Sequence, residues 1–113
     1  MSNVGGYTTK QILAAFGLKR DRFMNWVGEG YISASIPQVG GRHPGHLWTK
    51  EDIVLLAAFL ALFRMGFNRS KAAKIANTWD KTSPVHIHKE GDIEVSIDFA
   101  AVMAAVEKEL KVV

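Results

Sequence analysis

The densest chemistry in this chain lies in one short stretch, where Lys19, Arg20 and Arg22 are followed one helical turn later by Asn25. Fixed cations grouped this way suit a polyanion, because each phosphate neutralised by Lys or Arg releases condensed counterions. Asn25 adds an amide that donates and accepts at once, the pattern that pairs with the N6/N7 edge of adenine. The same amide can equally bond a neighbouring backbone carbonyl, and the cations can equally be a solvated helix face. A second group comprises Arg42 and His43, which lie within a Gly-Gly-Arg-His-Pro-Gly stretch, and His46, which follows it.

Other chemistries find less support. His43 with His46, and His86 with His88, form pairs without a third ligand at motif spacing, which makes a poor zinc site. The chain has no cysteine, so thiolate ligands, cysteine nucleophiles and disulfides are excluded by composition. Gly40, Gly41 and Gly45 are not followed by the Lys-Ser/Thr pair of a phosphate-cradling loop, and no nucleophile–base–acid arrangement can be assigned. The expectation is a protein that is not an enzyme, with no cofactor and no metal.

The 113 residues and 48% apolar content fit one compact fold with a real core. The net charge of +3 is unevenly spread. Residues 1–81 hold 11 Lys and Arg against 5 Asp and Glu, whereas residues 82–113 hold 3 against 6, so the basic partner surface belongs to the front. The longest apolar run, Ile53 to Phe63, falls short of the roughly 20 residues a membrane span needs, and no signal-peptide pattern opens the chain. A cytoplasmic protein without membrane contact is expected.

Hydrophobic spacing supplies the elements that must hold these residues. Thr8, three before Gln11 and ahead of Ile12, Leu13 and Phe16, predicts a capping box and a short helix that Gly17 stops. A second helix is predicted from about Lys19 to Val27, with Phe23, Trp26 and Val27 facing inward and Lys19, Arg20, Arg22 and Asn25 outward. Two short helices around a glycine turn predict a helix-turn-helix. Tyr31 to Trp48 reads as strand, flexible tip and strand. Thr49 and Asp52 then open a third helix, apolar on all sides through Phe63, which must be covered by other elements. Asn68 caps a fourth, over roughly 69–79, whose buried stripe is Ala72, Ile75, Ala76 and Trp79. After Pro84, the alternation of Val85, Ile87, Ile93, Val95 and Ile97 around Gly91 predicts a hairpin, and Asp98 caps a last helix. Trp26, Trp48 and Trp79 read as core anchors.

The string Tyr7-Thr8-Thr9-Lys10-Gln11-Ile12-Leu13-Ala14-Ala15-Phe16-Gly17-Leu18, followed by Phe23, Trp26, Gly30 and Ile32, resembles the opening of MerR-family regulators. His46-Leu47-Trp48-Thr49-Lys50-Glu51-Asp52-Ile53 is similar to that family's junction between wing and third helix, and Arg64-Met65-Gly66-Phe67-Asn68 to its turn between third and fourth helices. The resemblance covers about residues 7–79. It implies that the second helix enters the major groove of DNA, and that Thr8, Lys19, Arg20, Arg22, Asn25, Arg42, His43 and His46 form the DNA-contacting set. Met24 and His46 stand where the family usually has arginine, and Trp48 where it has tyrosine, which shifts the expected phosphate contacts to Arg20, Arg22 and Arg42.

The expected fold class is mainly α with small β: a winged helix-turn-helix of MerR type over residues 1–81, then a β-hairpin and helix over 82–113. That appendage is expected either to form a homodimer or to pack on the exposed side of the third helix. The expected function is a sequence-specific regulator of transcription that binds double-stranded DNA, nucleoid-associated and without an evident small-molecule ligand. The competing expectations are an architectural DNA-binding factor, such as an excisionase or a phage packaging small subunit, and a protein-interaction adaptor on the same fold.

Overall fold

The computed structural model describes residues 6–35 and 47–111. Thr8 Oγ1 accepts the Gln11 N–H at 3.2 Å while Gln11 Oε1 accepts the Thr8 N–H at 2.8 Å, so a complete capping box opens α1 (Thr9–Phe16). Gly17, left-handed at φ 63°, closes α1 by turning its own N–H and that of Leu18 back to the Leu13 carbonyl. Only Leu18 and Lys19 separate this turn from α2 (Arg20–Gly28). The predicted inward residues Phe23 and Trp26 are buried, and Val27 is half-buried.

A two-stranded antiparallel sheet joins β1 (Tyr7–Thr8) to β2 (Leu47–Trp48), with Tyr7 opposite Trp48. This corrects the expected strand at Tyr31–Ile32, which forms no strand. The backbone there is committed elsewhere: the Tyr31 N–H returns to the Trp26 carbonyl at 3.0 Å, and the Tyr31 carbonyl accepts Asn77 Nδ2 at 3.2 Å. Ile32 is buried and Tyr31 stacks on Phe59, so both serve the core as side chains rather than the sheet as backbone. The remainder of the expected strand and tip, residues 36–46, lies outside the described residues.

α3 (Lys50–Arg64) is the axis of the core, with Ile53, Val54, Leu56, Ala58, Phe59, Leu60 and Leu62 buried around it. Such a helix needs cover on several sides, and α4 (Arg69–Asn77) and α5 (Phe99–Leu110) both pack against it. Phe59 also receives Trp26 edge-on at 5.2 Å, which fastens α2 to α3. Trp48 fastens the front in the same way, its indole Nε1 donating to buried Thr9 Oγ1 at 3.1 Å and its ring meeting Phe23 edge-on at 5.3 Å.

The N-terminus of α3 holds an acid that is only 4% exposed. Asp52 Oδ2 accepts the Thr49 N–H at 2.9 Å and the Ser35 N–H at 2.7 Å, and Oδ1 accepts the Ser35 hydroxyl. The sequence predicts only the capping half of this role; the other half fastens the chain leaving α2 to the start of α3. Asp52→Ala is expected to destabilise the protein by about 2–3 kcal/mol, because it leaves two part-buried N–H groups without acceptors. Urea denaturation checks this, and an unchanged midpoint would contradict the role.

The C-terminal segment belongs to the same core. Trp79 stacks on Phe99 with ring centroids 4.1 Å apart and donates Nε1 to the Ser83 carbonyl at 2.8 Å. Asp80 Oδ1 accepts both the Thr82 and Ser83 N–H groups at 2.8 Å, fixing the intervening turn. Of the two expected roles for the last helix, packing on α3 is the one realised within a single chain, where Phe99 and Val106 join the core and Lys50 pairs with Glu107. β3 (Val85–Glu90) and β4 (Ile93–Asp98) form the predicted hairpin, with Gly91 at φ 62° in its turn. His86 and His88 share one face of the hairpin. They lie half-buried on the inner face with Val95 and Ile97, where His86 Nε2 meets Thr78 Oγ1 at 2.7 Å. The fold is thus mixed: five helices and two two-stranded antiparallel sheets among the described residues. None of these helices is long and apolar enough to cross a membrane.

Carboxylates hold this tail in place. The hydrogen bond from Lys71, aided by His88, holds Glu90 down at about 2 from an ordinary 4.5, and the bond from Lys50 likewise lowers Glu107. A depressed carboxyl pKa contributes stability that is complete above the unfolded value and is lost as pH falls through the folded one. Amide exchange in β3 and β4, corrected for its intrinsic pH dependence, is therefore expected to quicken between about pH 4.5 and 2. Glu90→Gln should flatten that change, and an equal change in both proteins would contradict the assignment.

Candidate nucleic-acid interface

Burial of Phe23 and Trp26 fixes the rotation of α2 and so decides what faces outward. Lys19, Arg20, Asp21, Arg22 and Asn25 are all exposed. With Arg69, the first residue of α4, they border one shallow depression of about 410 Å³ floored by Trp26. A second depression, of about 400 Å³, continues past Asn25 and Gly28 to Tyr31 and shares Arg69. The surface therefore runs along the outer side of α2 and is closed at one border by α4.

Its cations stand outside the ion pairs among the described residues, and the acids that border it are Asp21 and Glu29. Among the described residues the ion pairs are Lys50–Glu107, Lys71–Glu90 and His88–Glu90, and none engages Lys19, Arg20, Arg22 or Arg69. Lys19 caps α2 without a side-chain hydrogen bond, so the first-turn N–H groups add their partial positive charge at the same end. The Asn25 amide makes no hydrogen bond among the described residues, unlike Asn68, whose Oδ1 caps Lys71, and Asn77, which holds Tyr31. The backbone-bonding alternative for Asn25 is thus not the one observed.

The other predicted residues divide. Thr8 is exposed, but its hydroxyl is already engaged with Gln11 in the cap of α1. Arg42, His43 and His46 lie outside the described residues. Met24 is half-buried against the core and lines the second depression with Asn25 and Arg69. Sequence reasoning missed Arg69, Asp21 and Glu29, the last on the border of the second depression. Arg69 reaches the surface through the packing of α4, which no local spacing reveals. Asp21 was legible, since it stands four residues before Asn25 and therefore on the same helix face. No family model matches the chain, and no curated protein matches it.

Proposed function

We propose that this chain is a sequence-specific regulator that binds double-stranded DNA through a helix-turn-helix formed by α1 and α2, with α2 presented to the major groove. One observation carries the reading: Lys19, Arg20, Arg22 and Arg69 converge from two helices on a single surface where no acidic ion-pair partner engages them. Long flexible cations held without partners on a ridge-like helix are suited to phosphates on both walls of a groove. The uncapped start of α2 adds N–H donors of the kind that phosphates accept. The resemblance of residues 7–79 to MerR-type regulators supports the same reading. The regulator acts as a homodimer, setting two copies of α2 on half-sites.

Selection of bound sequences from a random duplex pool tests this. The reading predicts recovery of one shared sequence with two half-sites about 34–36 Å apart, or a multiple of that spacing. Recovery of duplexes with nothing in common would contradict sequence specificity. A second reading, the protein-interaction adaptor, draws on the hairpin, where Val85, Ile87 and Ile93 are exposed by half or more. Its mark is the absence of salt-dependent affinity for duplex DNA.

A further inference from the structure

Asp21 is an anomaly on the surface just described. It is exposed at the second position of α2, borders the same depression as Lys19, Arg20, Arg22 and Arg69, and forms neither an ion pair nor a hydrogen bond with them among the described residues. At about 100° per residue, Asp21 and Asn25 lie within about 40° of each other and nearly opposite the line between buried Phe23 and Trp26. Arg20 and Arg22 are displaced by roughly a quarter turn to either side of that ridge. The part of α2 that projects furthest thus carries two short polar side chains, and its flanks carry the long cations. Gly28 continues the ridge with open space over its Cα.

The arrangement sorts contacts by reach. Long side chains on the flanks meet the two phosphate backbones, while the crest meets base edges. A carboxylate has only hydrogen-bond acceptors to offer. Against phosphates it is repelled, and against the acceptor edges of guanine and thymine it finds no partner. The major-groove donors are the amino groups of cytosine and adenine, and cytosine N4 is the one that a lone acceptor suits, because adenine places its N7 acceptor alongside N6.

Resting on the DNA-binding reading above, we propose that Asp21 is a specificity-determining residue that accepts a hydrogen bond from cytosine N4. It excludes other bases at that position, beside the base read by Asn25. Its negative charge lowers affinity for every duplex and recovers it only where cytosine supplies the donor, so it acts mainly by rejecting wrong sites.

The full chain and its Asp21→Ala and Asp21→Asn variants, each taken through the random duplex selection and then titrated on single-base variants of the recovered site at one salt concentration, test this. The wild-type protein should require cytosine at one fixed position, discriminating there by roughly 5- to 150-fold. Asp21→Ala should lose that preference, keep the others, and bind unrelated duplexes more tightly. Asp21→Asn should move the preference from cytosine toward adenine. If Asp21 serves only the helix dipole, both variants return the wild-type sequence, and the inference is overturned while DNA binding stands. If the wild-type protein recovers no shared sequence, the inference and the reading beneath it fall together.

Discussion

Replacing Trp48 with Ala is expected to lower stability by about 3–5 kcal/mol, as large aromatic truncations in close-packed cores do. The ring is 2% exposed and touches Thr9 at the start of α1 and Phe23 within α2, the helix that carries most of the candidate interface. Its removal opens a cavity beneath α2 and leaves Thr9, itself only 9% exposed, without the indole donor. Trp48→Phe isolates the second effect, since it fills most of the volume but cannot donate. It should cost less than the alanine variant by the greater part of the cavity term. Denaturant midpoints for the two variants check the ordering. Equal losses would mean that the hydrogen bond, and not the packing, holds β2 to the front of the fold.

The second large effect is on binding. Arg20→Ala with Arg22→Ala removes two exposed cations from opposite flanks of α2, where no ion pair would be broken and no buried group unpaired. The fold should therefore survive. Affinity for the selected duplex is expected to fall roughly 100-fold, since each charge-assisted phosphate contact is worth about 1.5–3 kcal/mol before partial compensation. The dependence of log K on log salt should flatten by about two units in the double variant and about one in each single variant. Undiminished affinity in the double variant would place the DNA surface elsewhere, and an undiminished slope would show that these arginines do not meet phosphate.

Much of the scaffold could be read because its signals are local. Thr8 with Gln11, Thr49 with Asp52, Asn68 and Asp98 each open a helix where predicted. Gly17 and Gly91 mark turns that need left-handed backbone. The burial of Trp26 and Trp79 followed from their places on apolar faces, and that of Trp48 from its place at the junction before the third helix. The misreadings arise where tertiary contacts decide. Tyr31 and Ile32 have strand-like side chains, yet Asn77 and the end of α2 take up that backbone. β1 escaped notice because two residues carry no period, and only the arrival of β2 makes them a strand. For the interface, the outward set on α2 was legible from periodicity, whereas Arg69 depends on how α4 packs.

The central claim is that α2 and Arg69 present a phosphate-binding surface, and the salt dependence of duplex binding by the full chain measures it most directly. With four cations on that surface outside the ion pairs among the described residues, log K should fall against log salt with a slope of about −3 or steeper. A slope near zero, or no binding to any duplex at low salt, would contradict it.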